Sequence, residues 1–94
     1  MALSIEVFAS PGCAKCGRAK DELRKLSREI GEDAIRWREV NILDEIDYAV
    51  SLGVMSAPAI AIDGELVFTG LPSQRKLRAE LESRLKESYK RDRP

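Results

Sequence analysis

Histidine is absent from the 94 residues, and only two cysteines occur. The missing His excludes every Ser–His and Cys–His catalytic pair and every His-ligated metal centre at once. An excess of either charge is also lacking, since 16 Lys and Arg balance 16 Asp and Glu. A neutral chain gives no electrostatic case for binding nucleic acid or an anionic membrane surface. Nor is there an apolar run of about 18 residues, so no segment reads as a membrane span. The start, "MALSIEVFASPG", has no basic region ahead of an apolar one and alternates as a strand does, which argues against a secretory leader. The expected compartment is therefore the cytoplasm. In that reducing setting two cysteines at C-x-x-C are catalytic or metal-binding more often than a structural staple.

What is present fits one small domain with a modest core, expected over residues 1–90 and followed by a charged tail, 91–94. In "LSIEVFA", 3–9, Leu3, Ile5, Val7 and Ala9 alternate with Ser4, Glu6 and Phe8, which predicts a strand with the first set inward. "SPG" breaks it. From Cys13 to Ile30 the less polar positions Cys13, Cys16, Ala19, Leu23, Leu26 and Ile30 are three or four apart, the stripe of an amphipathic helix stopped by Gly31. "AIRWREVNI", 34–42, predicts a second strand that could turn either face inward. Asp44 is placed to cap a short helix, 45–52, with Asp47 in its first turn and Ile46, Ala49, Val50 and Leu52 on its apolar side. "PAIAIDGELVFTG" reads as a hairpin turning at Asp63-Gly64. From Ser73 onward, Leu77, Leu81, Leu85 and Tyr89 recur every four residues and predict a closing helix. The order β-α-β-α-β-β-α implies an α/β fold. Its first two strands are parallel across a right-handed connection, and the hairpin completes a four-stranded mixed sheet flanked by helices.

Cys13 and Cys16 fall where the first strand turns into the first helix, the edge of an α/β sheet where sites collect. Residues three apart on a helix are neighbours, so their sulfurs can bond with little backbone movement. Unpaired N–H groups at the helix start favour a Cys13 thiolate, and Lys15 adds positive charge, with Arg18 and Lys20 nearby. The helix start and Lys15 together are expected to lower the Cys13 thiol by about one to two pKa units from ~8.5. Cys16 continues the apolar stripe and is expected to be more buried. This asymmetry suits Cys13 as the attacking thiolate and Cys16 as the thiol that resolves the mixed disulfide. Two other uses stay open. Tetrahedral zinc wants four N or S ligands and one chain supplies two, so a metal site needs a dimer or carboxylates. A structural disulfide would close too short a loop to constrain much.

A proline that opens a strand after a short helix, in "GVMSAPAIAIDGELV", far downstream of C-x-x-C, resembles the thioredoxin/glutaredoxin superfamily over nearly the whole chain. Within it the sequence looks like a small, glutaredoxin-sized thioredoxin. The resemblance implies the thioredoxin-like fold and thiol–disulfide oxidoreductase activity on protein disulfides. It implies a redox-active Cys13–Cys16 disulfide and no other cofactor. Electrons would come from a thioredoxin-reductase-type or glutathione donor, and the protein would act as a monomer. It makes Pro58 a cis-proline opposite the cysteines, with the backbone of Ala57 pairing with substrate. Pro11 and Gly70 would border the same substrate surface, and Gly12 would join Lys15 in tuning Cys13. Departures exist. Gly12 stands where many thioredoxins have Trp, and Ala14-Lys15 is neither the Gly-Pro nor the Pro-Tyr dipeptide. Val7 replaces the buried Asp that takes the proton of the second cysteine. In "TGLPSQ" Gly70 fits a glutathione site, but no acidic residue follows. The alternatives carried forward are a glutathione-dependent reductase and a dimeric metal or iron–sulfur protein built on the same cysteines.

Overall fold

The computed structural model describes residues 3–92, with side chains through Glu87. Its elements are β1 (Leu3–Ala9), α1 (Ala14–Ile30), β2 (Ile35–Asn41), α2 (Ile46–Leu52), β3 (Ala59–Ile62), β4 (Glu65–Thr69) and α3 (Gln74–Asp92). The four-stranded sheet has the order β2-β1-β3-β4. β1 and β2 are parallel, β1 and β3 antiparallel, and β3 and β4 form the hairpin. Asp63 and Gly64 both have positive φ, 51° and 82°, the geometry of a two-residue turn matched to the sheet's twist. Asp63 also ties the hairpin tip to β1: its Oδ1 accepts from the Ser4 N–H at 2.9 Å, and its own N–H donates to the Ser4 carbonyl at 2.7 Å.

Each face of the sheet has its own core. On one, α1 and α3 bury Leu23, Leu26, Leu77 and Leu81 against Leu3, Ile5, Val7, Ile60 and Ile62. On the other, Ala49 of α2 and Val54 meet Phe8, Val40, Ala59 and Ala61. This second layer corrects the expected alternation of β1. Phe8 is fully buried and Glu6 nearly so, leaving Ser4 as the exposed residue of the strand. β1 is an interior strand covered on both sides, and such strands are apolar on both faces. β2 resolves its ambiguity in the same way: Ile35 and Trp37 join the α1 side, and Val40 joins the α2 side.

Two expectations for α2 are corrected. Its N-cap is Glu45 without a side-chain hydrogen bond, not Asp44. The entry turn is organised instead by Asn41, whose Oδ1 accepts from the Leu43 N–H at 2.9 Å and whose carbonyl accepts from Asp44 and Glu45. Of its apolar positions only Ala49 is fully buried, while Ile46 and Val50 face outward. A seven-residue helix touches the sheet along one narrow line, so a wide apolar stripe cannot all be covered. α3 starts as expected. Ser73 Oγ accepts from the Lys76 N–H at 3.2 Å, and Leu77 and Leu81 are buried with Leu85 packed against them. Tyr89, the fourth member of that stripe, lies outside the described side chains. Residues 91 and 92 of the expected tail belong to α3, and 93–94 lie outside the described residues.

Candidate active site

β1 ends at Ala9, and residues 10–13 turn the chain into α1. The Cys13 N–H donates to the Ser10 carbonyl at 3.3 Å, closing a four-residue turn with Pro11 second and Gly12 third. Gly12 has φ +77°. Proline fixes the second position, and the third needs the left-handed region, where glycine fits without strain. Gly12 thus shapes the approach to the cysteines through the backbone.

Cys13 is the N-cap of α1, with extended backbone, and is half-buried. Cys16, one turn on, is 4% exposed. The two are joined as a disulfide with a Cα–Cα distance of 5.4 Å. The difference in exposure is the one expected from the helix stripe: Cys13 is the more accessible residue and Cys16 the buried one. No acidic side chain occupies the first turn of α1, so nothing there offsets its N–H groups. Lys15 and Arg18 are exposed, and Lys20 is partly covered.

Strand register gathers the remaining residues. Ala59 pairs with Phe8 on one side and Thr69 on the other. Pro58 therefore directly precedes β3 at the edge where β1 ends and where Gly70 follows β4. β2 ends there too, with the Ile42 N–H donating to the Ala9 carbonyl at 2.9 Å. The Ala57–Pro58 peptide is cis, as the resemblance implied. Pro58 is buried and Ala57 half-buried. Gly70 has φ +125° with open space where a Cβ would stand. One sheet edge thus carries the cysteine turn, the cis-proline and Gly70, contributed by three separate parts of the chain.

Two features of this region were missed in the sequence. The first is an apolar groove of about 530 Å³ lined by Ile42, Ile46, Ala49, Val50, Gly53, Val54 and Met55. Its lining ends at Met55, two residues before Ala57 in the chain. Its rim is open to solvent: Met55 is 96% exposed, Val50 66% and Ile46 53%, with Leu43 close by at 63%. The available signal was that apolar residues surround α2 on more than one side. The second is a buried carboxylate. Glu6 Oε1 accepts from the Tyr48 hydroxyl at 2.5 Å, and Glu6 Oε2 accepts from Arg38 Nη2 at 2.7 Å. Arg38 also pairs with Glu45 at 3.5 Å. Hydrogen bonding to Glu6 raises both the Tyr48 phenol and the Arg38 guanidinium above their ordinary values. This cluster lies on the α2 side, where Tyr48 tilts against Phe8 with ring centres 6.0 Å apart. Among the described residues no group of three or more Cys, Asp or Glu is arranged to hold a metal ion.

Comparison with known proteins agrees with this arrangement. The family model for the thioredoxin domain matches residues 3–82. A probable thioredoxin of Methanothermobacter thermautotrophicus is 38% identical over 77 residues, covering 82% of this chain and 89% of the relative. A thioredoxin of Methanocaldococcus jannaschii is 31% identical over 83 residues, covering 88% and 96%. Among solved structures, a thioredoxin variant from Halobacterium salinarum superposes with a TM-score of 0.72 at 20% identity, covering 86% of this chain and 73% of that one. Oxidised mitochondrial thioredoxin 3 from Saccharomyces cerevisiae gives 0.72 at 19% identity, covering 86% and 77%. At that identity the structures speak for the fold, which is thioredoxin-like.

Proposed function

The chain belongs to the thioredoxin family and is a thiol–disulfide oxidoreductase, and from that premise we propose how its residues divide the work. Cys13 attacks a protein disulfide as a thiolate and forms a mixed disulfide. Cys16 then attacks Cys13, releases the second substrate thiol and leaves the Cys13–Cys16 disulfide for an upstream donor to reduce. The observation that carries this reading is the pairing of a half-buried N-cap sulfur with a buried one a turn inside α1. The half-buried sulfur can meet a substrate, and the buried one meets only Cys13.

Thioredoxins act on disulfide-bearing proteins, are reduced by a donor and generally need no cofactor. For this chain we assign the donor to the thioredoxin-reductase type rather than glutathione and place the protein in the cytoplasm as a monomer. Residues 1–90 act as one unit. No helix among the described residues is long and apolar enough to cross a membrane. The backbone of Ala57 pairs with an extended substrate segment, Pro58 keeps that backbone turned toward the cysteines, and Pro11 and Gly70 border it. Lys15 and the turn at Gly12 favour the Cys13 thiolate. The apolar groove lined by α2 and Met55 supports a protein substrate, because a tripeptide offers little apolar surface to fill it.

Insulin reduction with dithiothreitol as the electron source tests the reading. The wild-type chain is expected to accelerate precipitation of the B chain. Cys13→Ser is expected to lose this activity, and Cys16→Ser to trap substrate as a stable mixed disulfide. Undiminished activity in Cys13→Ser would overturn the assignment.

A further inference from the structure

α1 runs back along β2, and their facing residues meet in order. The Arg24 guanidinium lies over the Trp37 ring, 5.9 Å from its centre. Four residues nearer the start of the helix and two further along the strand, Lys20 Nζ contacts Glu39 Oε2 at 2.8 Å. Four helical residues advance about 6 Å, and two strand residues about 6.6 Å, so the two elements stay in step. The next helical position in this series is Cys16. The Lys20–Glu39 pair therefore lies one helical turn from the buried Cys16. Helical side chains lean toward the helix N-terminus and cover the preceding turn. The Lys20 ammonium is thus carried toward Cys16, and Glu39 fixes it on the sheet side of α1.

We propose that Lys20, held by Glu39, is a positioning residue for the second half of the reaction and stabilises the Cys16 thiolate. The proposal rests on the reading of Cys16 as the resolving thiol. In that step Cys16 gives its proton to solvent, and its thiolate attacks the Cys13 sulfur of the mixed disulfide. The bond between Cys13 and the substrate sulfur breaks, the substrate leaves as a thiolate and takes up a proton, and the Cys13–Cys16 bond forms. Negative charge must therefore appear on the sulfur of a residue that is 4% exposed, which burial opposes. The surroundings offer few charges to offset it. β1 presents Val7 toward α1, while Glu6 bonds Tyr48 and Arg38 on the other side. β2 presents Glu39. α3 meets α1 further along, where Arg78 donates to Glu29. The segment before Pro58 supplies Met55, Ser56 and Ala57, all uncharged. On the first two turns of α1, Lys15 and Arg18 are exposed, while Lys20 is tied down toward the sheet by Glu39; Arg24, which lies over Trp37, is a further turn away from Cys16. Glu39 opposes with its own charge but reaches this helix through Lys20, which lies on the helix of Cys16 one turn away.

Reaction of the reduced protein with dithionitrobenzoate separates the two steps. Attack by Cys13 releases one thionitrobenzoate, and resolution by Cys16 releases a second. Lys20→Met is expected to raise the apparent pKa of the second phase by about half to one unit, slowing it about three- to tenfold near neutral pH, where the thiolate fraction changes tenfold per unit. The first phase should stay unchanged. Lys20→Arg should restore the wild-type profile. Glu39→Gln should shift the second phase in the same direction by less, and add nothing once Lys20 is gone. An unshifted second phase in Lys20→Met, or a lowered pKa in Glu39→Gln, overturns the proposal. Loss of the first phase in Cys16→Ser would instead count against Cys13 as the nucleophile, so the two failures are distinguishable.

Discussion

On one face of the sheet, leucines of two long helices interlock with Ile5, Val7, Ile60 and Ile62. On the other, a seven-residue helix meets Phe8, Val40 and the alanines at 59 and 61. The first face is thick, dry and made of large side chains. The second is thin, made largely of small ones, and joined by a polar cluster of Glu6, Tyr48 and Arg38. The faces differ outward as well, since among the described residues the large exposed apolar ones, Leu43, Ile46, Val50 and Met55, all lie on or beside α2. A sheet needs one deep core to fold, and the other face is then free to keep apolar surface for a partner. The α1 face fixes the position of Cys16. The α2 face carries the apolar groove that ends at Met55.

This contrast can be broken most severely at Leu23. Leu23→Ala leaves a cavity in the thick core and is expected to cost about 2–5 kcal/mol, read as a lower urea midpoint. Tyr48→Phe strikes the polar cluster of the thin face and orphans one oxygen of Glu6. The expected loss is about 1–3 kcal/mol at neutral pH. Its pH dependence has a definite sign. The Tyr48 phenol is raised by its hydrogen bond to Glu6, so the stabilisation is complete below the ordinary tyrosine value. It is lost as pH climbs through the higher folded value. The gap between wild type and Tyr48→Phe should therefore hold steady up to pH ~10 and narrow above it; a gap that widens there refutes the hydrogen-bonded phenol. Val50→Glu tests the outward side of α2. Insulin reduction should lose about fivefold in kcat/KM, mainly through KM, while the unfolding free energy moves by less than about 0.5 kcal/mol. A change in stability without a change in KM would return Val50 to the core. The smallest effect is expected for Arg24→Ala, which removes the cation over Trp37 and costs about 0.5–1 kcal/mol. Trp37 is the only tryptophan, so its fluorescence reports the change directly.

Much of the site was legible in the residues. Cys13 at a helix start, Cys16 on the apolar stripe and Gly31 after the last turn follow from spacing alone. The Asp63-Gly64 turn was equally plain, because such turns depend on the φ values that two adjacent residues can adopt. The failures fall on α2 and on the α2 side of β1. Ile46 and Val50 have the composition of core residues and Glu6 that of surface, and each stands on the other side. Periodicity says which residues share a face, and it cannot say whether another layer covers that face.

The sequence by itself determined the order of elements, the pair of sulfurs at the mouth of α1 and the difference in burial between them. These are local consequences of period, turn chemistry and helix geometry. Only the tertiary structure decided that Pro58 and Gly70 share an edge with Cys13, that Glu6 is enclosed by Tyr48 and Arg38, and that Glu39 reaches Lys20 one turn from Cys16. Those relations depend on strand register and on which helix lies over which strand. Both are set by how the whole chain buries its apolar surface, a property that no single segment carries.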